Sequence, residues 1–371
     1  MAKILLENGE ILEGKSVGYD GVALGEICFT TQMAGYQEIL TDPSYAEQVI
    51  VLTYPEIGNC GVNKDDFESS KIHPTALITK SFCEKESHYL SSIKLDEYLK
   101  QKKVVALTDV DTRKLTSIIR DNGVMKCLVT SKDEVTEDLK SQLADYTYDK
   151  DIVNKVTRKS VEVIKSTSKN KKIKLAILDC GMKNSTIETL KQLGCSLNIF
   201  PATTKSSEIL KNKFDALLIS DGPGNPEDAV DVIATVKNLI GKIPMYGVCM
   251  GCQILAIALG AKTYKLKHGH RGSNHPIINL KTQKVIISTQ NHGFAIDIES
   301  LPQESVLTYK NLNDSTLEGF LMPDFGIEAI QFHPENEVYV LENWLECVKK
   351  LRKDKKFFGL IKKIGGKNAK K

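Results

Sequence analysis

The sequence predicts an α/β protein in which an N-terminal α+β domain is followed by a doubly wound, mainly parallel-sheet domain. The chain has 371 residues, more than one ordinary domain needs. Its first 150 residues mix short strands with one clear helix. From residue 172 onward, apolar strands alternate regularly with helices, which indicates a parallel sheet covered on both faces.

Composition excludes several classes of protein. The chain is 41% hydrophobic and 26% charged, with a formal net charge of +3, so no global charge favours nucleic acid. No apolar run is long enough to span a bilayer, and the N-terminus lacks a signal-peptide core. Nine irregularly spaced cysteines do not form a disulfide framework. We expect a cytoplasmic protein that binds neither nucleic acid nor membrane.

The N-terminal elements follow from local signals. "KILLENGEILEGKSVG" predicts a hairpin turning at Asn8 and Gly9. "EQVIVLTYP" and "TALITKSF" are strand-like, with β-branched runs ended by turn residues. Val104–Leu107 is predicted as a strand, and Asp111 as the cap of a helix that "DNG" ends.

A polar, lysine-rich segment, "KSTSKNKK" at residues 165–172, is predicted to link the domains. The domains are then 1–165 and 172–355. Residues 356–371 form a basic tail, which we expect to be mobile.

Strands and helices alternate in the second half. The predicted strands are "IKLAILDCG", "LNIFP", "FDALLISDGPG" and "PMYGVCMG"; the predicted helices are "NSTIETLKQLG", "SSEILKNK", "PEDAVDVIATVKNLIG" and "CQILAIALG". Ligands of such sheets bind beyond the carboxyl ends of the strands. The motifs "SDGPGNPED" and "YGVCMGCQ" both lie there.

Cys249 and Cys252 form a C-x-x-C pair with three interpretations. A structural zinc site needs two close ligand pairs, and His268 and His270 are spaced more tightly than the usual second pair. "KLKHGHRGSNHP", which contains them, looks more like a binding loop. A redox dithiol also sits at a helix N-terminus, as this pair would. It does not require glycines on both sides of Cys249.

The third interpretation is a nucleophile elbow, because "GVCMG" has the form G-x-Nu-x-G. Gly247 and Gly251 permit a sharp turn and close backbone approach. The helix N-terminus favours a thiolate at Cys249. The N–H of Met250 is placed to donate to an oxyanion.

A nucleophilic cysteine needs a base. His333 and Glu335 stand in "GIEAIQFHPE", just after an apolar strand, so the acid can orient the imidazole as in a triad. His292, in "TQNHGFAID", is the alternative base, although its context looks more like a substrate-shaping loop.

"YGVCMGCQ", "FHPE" and "ISDGPGNPED" resemble class I glutamine amidotransferase domains. "KHGHRGSNHP", "STQNHGFAID" and the N-terminal blocks "FTTQMAGYQEILTDPSYAEQVIVLTYPEIGNCGVN" and "ALTDVDTRKLTSIIRDNG" resemble the small-chain family of carbamoyl-phosphate synthases. The likeness extends from the first residues to about Glu342.

The resemblance implies glutamine hydrolysis by Cys249, His333 and Glu335, with no metal. It implies that Gly222 and Gly224 shape the pocket, with the Gly224 N–H as an oxyanion donor. The remaining residues implied to contact glutamine are Ser44, Met250, Gln253, Asn291, Gly293 and Phe294.

The resemblance also implies a large-subunit partner that receives ammonia and uses ATP with magnesium to make carbamoyl phosphate for arginine or pyrimidine biosynthesis. This chain has no G-x-x-x-x-G-K-[ST] phosphate loop, and we expect it to carry no cofactor itself.

Three departures from the family are visible. Cys252 stands where the family usually has His, "NEVYVLENW" replaces the usual turn after "HPE", and the basic tail is extra. Two other functions stay open: a non-catalytic scaffold for the large chain, and a free-standing cysteine hydrolase of another amide.

Overall fold

The computed structural model describes residues 1–166 and 173–353, which form two compact units. The first comprises Met1–Asp149 with Leu266–Gly272, and the second comprises the described residues of Lys150–Lys265 and those from Ser273 onward. The predicted linker at 165–172 lies mostly outside the described residues, and the predicted tail at 356–371 lies wholly outside them. The domain boundaries therefore stay predictions. Within the described ranges, no helix has both the length and the apolar character needed to cross a membrane.

The first unit is built on a closed β-barrel flanked by short helices. Its strands are β1 (Ala2–Leu6), β2 (Ile11–Gly18), β3 (Val22–Thr30), β4 (Gln48–Leu52), β5 (Glu56–Ile57), β6 (Ala76–Ile78), β7 (Ser81–Phe82), β8 (Val105–Thr108) and β9 (Met125–Thr130). Its helices are α1 (Tyr36–Thr41), α2 (Leu95–Gln101), α3 (Thr112–Asn122) and α4 (Glu137–Asp145). The order around the barrel is β1-β2-β8-β6-β4-β3-β9.

Local sequence explains the first hairpin and the longest helix of this unit. Strands β1 and β2 pair antiparallel, and Gly9 has φ +88° in the turn, as the Asn-Gly signal predicted. Helix α3 begins after Asp111, whose Oδ1 accepts a hydrogen bond of 2.9 Å from the Lys114 N–H. Gly123 follows its last residue. The predicted cap and stop are both confirmed.

The second unit has a ten-stranded sheet in the order β10-β12-β11-β13-β14-β19-β18-β17-β15-β16. These strands are β10 (Glu162–Ile164), β11 (Lys174–Asp179), β12 (Ser196–Pro201), β13 (Ala216–Ile219), β14 (Met245–Val248), β15 (Thr263–Asn279), β16 (Val285–Ile296), β17 (Val306–Asn311), β18 (Leu317–Met322) and β19 (Ile327–Ile330). The helices are α5 (Ile152–Val156), α6 (Asn184–Gln192), α7 (Ser206–Leu210), α8 (Val230–Leu239), α9 (Met250–Ala258) and α10 (Tyr339–Lys353).

Strands β12, β11, β13, β14 and β19 run parallel in that order, as the strand–helix alternation predicted. Strands β17 and β18 extend this sheet in antiparallel pairs. The α/β class and the mainly parallel sheet are therefore confirmed.

Two segments interpreted as loops are strands, so that interpretation is wrong. "KLKHGHRGSNHP" lies within β15, and the segment carrying His292 lies within β16. Their Gly and Asn residues have low strand propensity, so the local pattern favoured loops. Pairing with neighbouring strands overrides such preferences.

Helix α10 packs against the core of the second unit. Leu341, Trp344 and Leu345 belong to the same buried cluster as Cys249, and the Trp344 and Tyr246 ring centroids lie 4.7 Å apart. The unusual segment after "HPE" therefore still brings the last helix into the core that carries the cysteine.

The Asp111 cap predicts a specific loss of stability. Asp111→Ala removes the acceptor for the Lys114 N–H and should lower the free energy of unfolding by about 1 kcal/mol. Asp121→Ala makes the same chemical change at the exposed C-terminal end of α3, where an acid opposes the helix dipole. Thermal unfolding followed by circular dichroism should show a lower midpoint for Asp111→Ala only. Equal midpoints would contradict the cap.

Candidate active site

Cys249 occupies a strained turn between β14 and α9. It is a non-glycine residue with φ +51° and ψ −107°, a conformation that costs energy and is common at functional sites. Its N–H donates to the Ile330 carbonyl at 2.9 Å, and its carbonyl accepts from the Cys252 N–H at 3.0 Å. The predicted strand-to-helix turn is therefore confirmed, with the thiol at the head of the helix.

The two flanking glycines allow the backbone to pack closely around this turn. A Cβ on Gly247 would lie 2.5 Å from the Gly251 carbonyl oxygen. A Cβ on Gly251 would lie 2.1 Å from the carbonyl oxygen of Ile219, at the end of β13. Since neither approach leaves room for a side chain, both positions require glycine.

The thiol of Cys249 faces polar groups from β16 and from the residue that follows β19. Its Sγ lies 3.6 Å from the Asn291 carbonyl oxygen and 3.7 Å from Nε2 of Gln331. Cys252, in the same helix, is fully buried, and burial raises the pKa of its thiol well above the usual value. A thiol that stays protonated is a poor nucleophile, which disfavours the redox-dithiol interpretation.

His333 stands at the end of the strand next to β14. Val248 of β14 pairs with Ile330 of β19, so the chain beyond each strand end leads to Cys249 and to His333 respectively. The His333 side chain is 1% exposed, and the backbone N–H of His333 donates to the Thr289 carbonyl at 3.0 Å. The sheet thus places the predicted nucleophile and base at the same edge.

Glu335 is held ionised in the turn after His333. Its Oε1 accepts a hydrogen bond of 2.6 Å from the Thr186 hydroxyl and lies 3.0 Å from Lys183 Nζ. Burial opposes ionisation, but Lys183, His333 and Thr186 together lower the pKa of Glu335 to about 2. Sequence reasoning missed Lys183 and Thr186, because no motif connects the start of α6 with "HPE".

A second carboxylate faces the imidazole. Oδ2 of Asp221 lies 3.8 Å from Nδ1 of His333, and the Asp221 side chain is 2% exposed. Asp221 follows β13 in the motif "SDGPGNPED". A polar residue just after the carboxyl end of a parallel strand is a candidate for the site, so the sequence contained a signal for Asp221. Sequence reasoning named only the glycines of that motif.

The structure brings several of the predicted glutamine-contacting residues together. Met250 begins α9. Gln253 Nε2 donates to the Phe294 carbonyl at 2.7 Å and to Gln331 Oε1 at 3.0 Å. This ties α9 to the part of β16 that carries Asn291, Gly293 and Phe294.

The remaining predicted contacts are Gly222, Gly224 and Ser44. Gly222 and Gly224 lie in the turn after β13, where a Cβ on Gly222 would be 2.4 Å from the Cys180 carbonyl oxygen. Ser44 belongs to the first unit, where it is buried in the short 3-10 turn Pro43–Tyr45 and its hydroxyl makes no hydrogen bond to any described residue. Its contact with glutamine stays a prediction.

The histidines of the two alternative interpretations, His292 as the base and His268 with His270 as zinc ligands, lie on strands β16 and β15. His292 lies on β16, with Nε2 2.9 Å from Gln290 Oε1 and Nδ1 2.8 Å from the Phe294 carbonyl oxygen. Both ring nitrogens are thus engaged, which disfavours His292 as the base. His268 and His270 lie on β15, where Nδ1 of His268 faces the Gly269 carbonyl oxygen at 2.9 Å.

The parallel sheet and the elbow place the second half of the chain in a known class. A family model described as glutamine amidotransferase class-I matches residues 176–343. A second family model, described as the carbamoyl-phosphate synthase small chain, CPSase domain, matches residues 4–129.

Curated relatives agree with both matches over nearly the whole chain. A carbamoyl phosphate synthase small chain of Clostridium acetobutylicum is 44% identical, covering 90% of this chain and 94% of the relative. One of Methanocaldococcus jannaschii is 43% identical, covering 90% and 93%. A pyrimidine-specific small chain of Bacillus subtilis is 40% identical, covering 90% of each chain. The chain belongs to the carbamoyl-phosphate synthase small-chain family, as the sequence motifs predicted.

The lowered pKa of Glu335 predicts how acid affects stability. Because this pKa of about 2 lies below the ordinary value of 4.5, the ionised side chain stabilises the fold above about pH 4.5 and loses that contribution as the pH falls toward 2. The stability difference between wild type and Glu335→Gln should therefore shrink by an amount on the order of 3 kcal/mol over this range.

Urea unfolding at pH values between about 5 and 2.5 measures this difference. Glu342→Gln, at an exposed carboxylate on α10, is the matched control and should leave the acid response of the wild type in place. A difference for Glu335→Gln that stays constant across the range would contradict the ion pair with Lys183.

Proposed function

We propose that this chain is the glutaminase subunit of a carbamoyl-phosphate synthase and hydrolyses glutamine through Cys249, His333 and Glu335. The observation that supports this most directly is the strained Cys249 at the head of α9, one strand away from a buried histidine. Strain of this kind persists only where the surrounding structure enforces it, and a strained strand-to-helix turn is where an elbow nucleophile lies.

In the proposed first step, the Cys249 thiolate attacks the side-chain amide carbon of glutamine. The carbonyl oxygen becomes an oxyanion, for which the N–H groups of Met250 and Gly224 are the proposed donors. His333 then gives a proton to the amide nitrogen, the C–N bond breaks and ammonia leaves. The product on the enzyme is a thioester between Cys249 and the glutamyl group.

In the proposed second step, His333 accepts a proton from water as the water attacks the thioester carbon. The C–S bond breaks, glutamate leaves and the Cys249 thiolate is restored. Glu335, held ionised by Lys183 and Thr186, stabilises the protonated imidazole that forms in this cycle.

We further propose that glutamine lies against the residues near the elbow. Gln253 joins α9 to β16 through the Phe294 carbonyl, so both elements are fixed relative to Cys249. Residues with the proposed role of contacting glutamine are Gly222, Gly224, Met250, Gln253, Asn291, Gly293 and Phe294.

The partner is proposed to be a large subunit that receives the ammonia. Relatives over 90% of this chain are named small chains, which supports a second, larger chain. That chain would bind ATP and magnesium and form carbamoyl phosphate from bicarbonate, for arginine biosynthesis, pyrimidine biosynthesis or both. This chain would carry no cofactor or metal, and its cytoplasmic location stays a prediction.

Replacing the nucleophile tests the proposal. Cys249→Ser should lower glutamate release from glutamine by at least a thousandfold, because a neutral hydroxyl replaces the thiolate. Synthesis of carbamoyl phosphate from added ammonia by the assembled complex should continue. Cys252→Ala is the matched control, since that thiol is buried in the same helix, and it should retain most activity.

Three results would contradict parts of this proposal. Normal glutamate release by Cys249→Ser would remove Cys249 as the nucleophile. A wild-type complex that makes carbamoyl phosphate from ammonia but never from glutamine would favour a scaffold. Loss in Cys252→Ala equal to that in Cys249→Ser would favour a dithiol.

A further inference from the structure

We propose that Asp221 is a second positioning carboxylate for His333, which acts together with Glu335 to hold the imidazole in its protonated form beside the Cys249 thiolate. This inference rests on the proposed glutaminase function and extends it to a residue outside the Cys-His-Glu set. The juxtaposition that carries it is the distance of 3.8 Å between Asp221 Oδ2 and His333 Nδ1, with both side chains buried.

The sheet brings Asp221 to this place through strand register. Strand β14 lies between β13 and β19, and Gly247 pairs with Ile219 while Val248 pairs with Ile330. Asp221, Cys249 and His333 therefore follow three consecutive strand ends. A carboxylate, a thiol and an imidazole meet at one edge of the sheet.

The turn that carries Asp221 is fixed on both sides. The Ser220 hydroxyl donates to the Asp221 carbonyl at 2.8 Å and accepts from the Cys180 N–H at 2.9 Å. Gly222 packs so closely against Cys180 that a Cβ would lie 2.4 Å from its carbonyl oxygen. The backbone that carries the Asp221 side chain is thus held in place, as a positioning residue requires.

The charges around His333 give the two carboxylates different roles. Cys249 faces this region from the head of α9, Glu335 from the turn after His333, and Asp221 from the turn after β13. Lys183, before α6, lies 3.0 Å from Glu335 and offsets much of its charge. Asp221 therefore supplies negative charge beside Nδ1 of His333. Glu335 supplies less, because its charge is paired with Lys183.

An opposite charge within about 4–6 Å favours the charged form of a titratable group by about 1–3 pH units. At 3.8 Å, Asp221 is within this range of the imidazole. Removing its charge should make the imidazolium lose its proton at lower pH. It should also weaken the thiolate–imidazolium pair.

Asp221→Asn tests this, because it removes the charge and keeps the shape. The alkaline limb of the pH profile of kcat/KM for glutamine hydrolysis, measured on the assembled complex, should move down by at least about one pH unit. Asp231→Asn makes the same change at an exposed position on α8 and should leave the profile unchanged. Asp221→Ser, a smaller neutral variant, should shift the limb in the same direction as Asp221→Asn.

A second readout does not depend on turnover. The rate of iodoacetamide alkylation at Cys249, resolved by peptide mass spectrometry, reports the thiolate fraction and should fall near neutral pH in Asp221→Asn.

Folded Asp221 variants with the pH profile and alkylation rate of Asp231→Asn would overturn the inference. Loss of folding in both Asp221 variants, shown by circular dichroism, would also overturn it by making Asp221 structural. A wild-type complex without glutaminase activity would instead contradict the proposed function.

Discussion

The close backbone packing around Cys249 is the constraint on which the rest of the site depends. Gly251 lies against the end of β13, and Gly247 lies against Gly251, with no room for a side chain at either position. This packing holds Cys249 at a positive φ that a β-strand or a helix would not give it. The Cys249 thiol consequently lies at the head of α9, beside the N–H groups of the first helical turn.

Electrostatics near His333 follow from the same strand ends. Each parallel strand finishes at one edge, so the polar residues that follow β13, β14 and β19 meet although they are far apart in the chain. Glu335 is partly buried and ionised because Lys183 and Thr186 stabilise its charge against the cost of burial. The region thus contains a thiol, an imidazole and two carboxylates in a setting that excludes much of the water.

Backbone position distinguishes the two cysteines of the C-x-x-C pair, since both side chains are buried. Cys249 lies in the strained turn and faces polar atoms of Asn291 and Gln331. Cys252 lies inside α9, where burial keeps its thiol protonated. Cys252 therefore adds no thiolate beside Cys249.

The sequence by itself determined the features that depend on short-range pattern: the α/β class, the hairpin at Gly9, the cap at Asp111, the strand–helix order and the elbow at Cys249. These depend on local periodicity and on turn chemistry within a few residues.

Only the tertiary structure decided the closed barrel of the first unit, the strand character of β15 and β16, the partners of Glu335 and the approach of Asp221 to His333. Those features depend on which distant strands pair and in what register. That choice is fixed by packing across the whole sheet, which no local window of sequence contains.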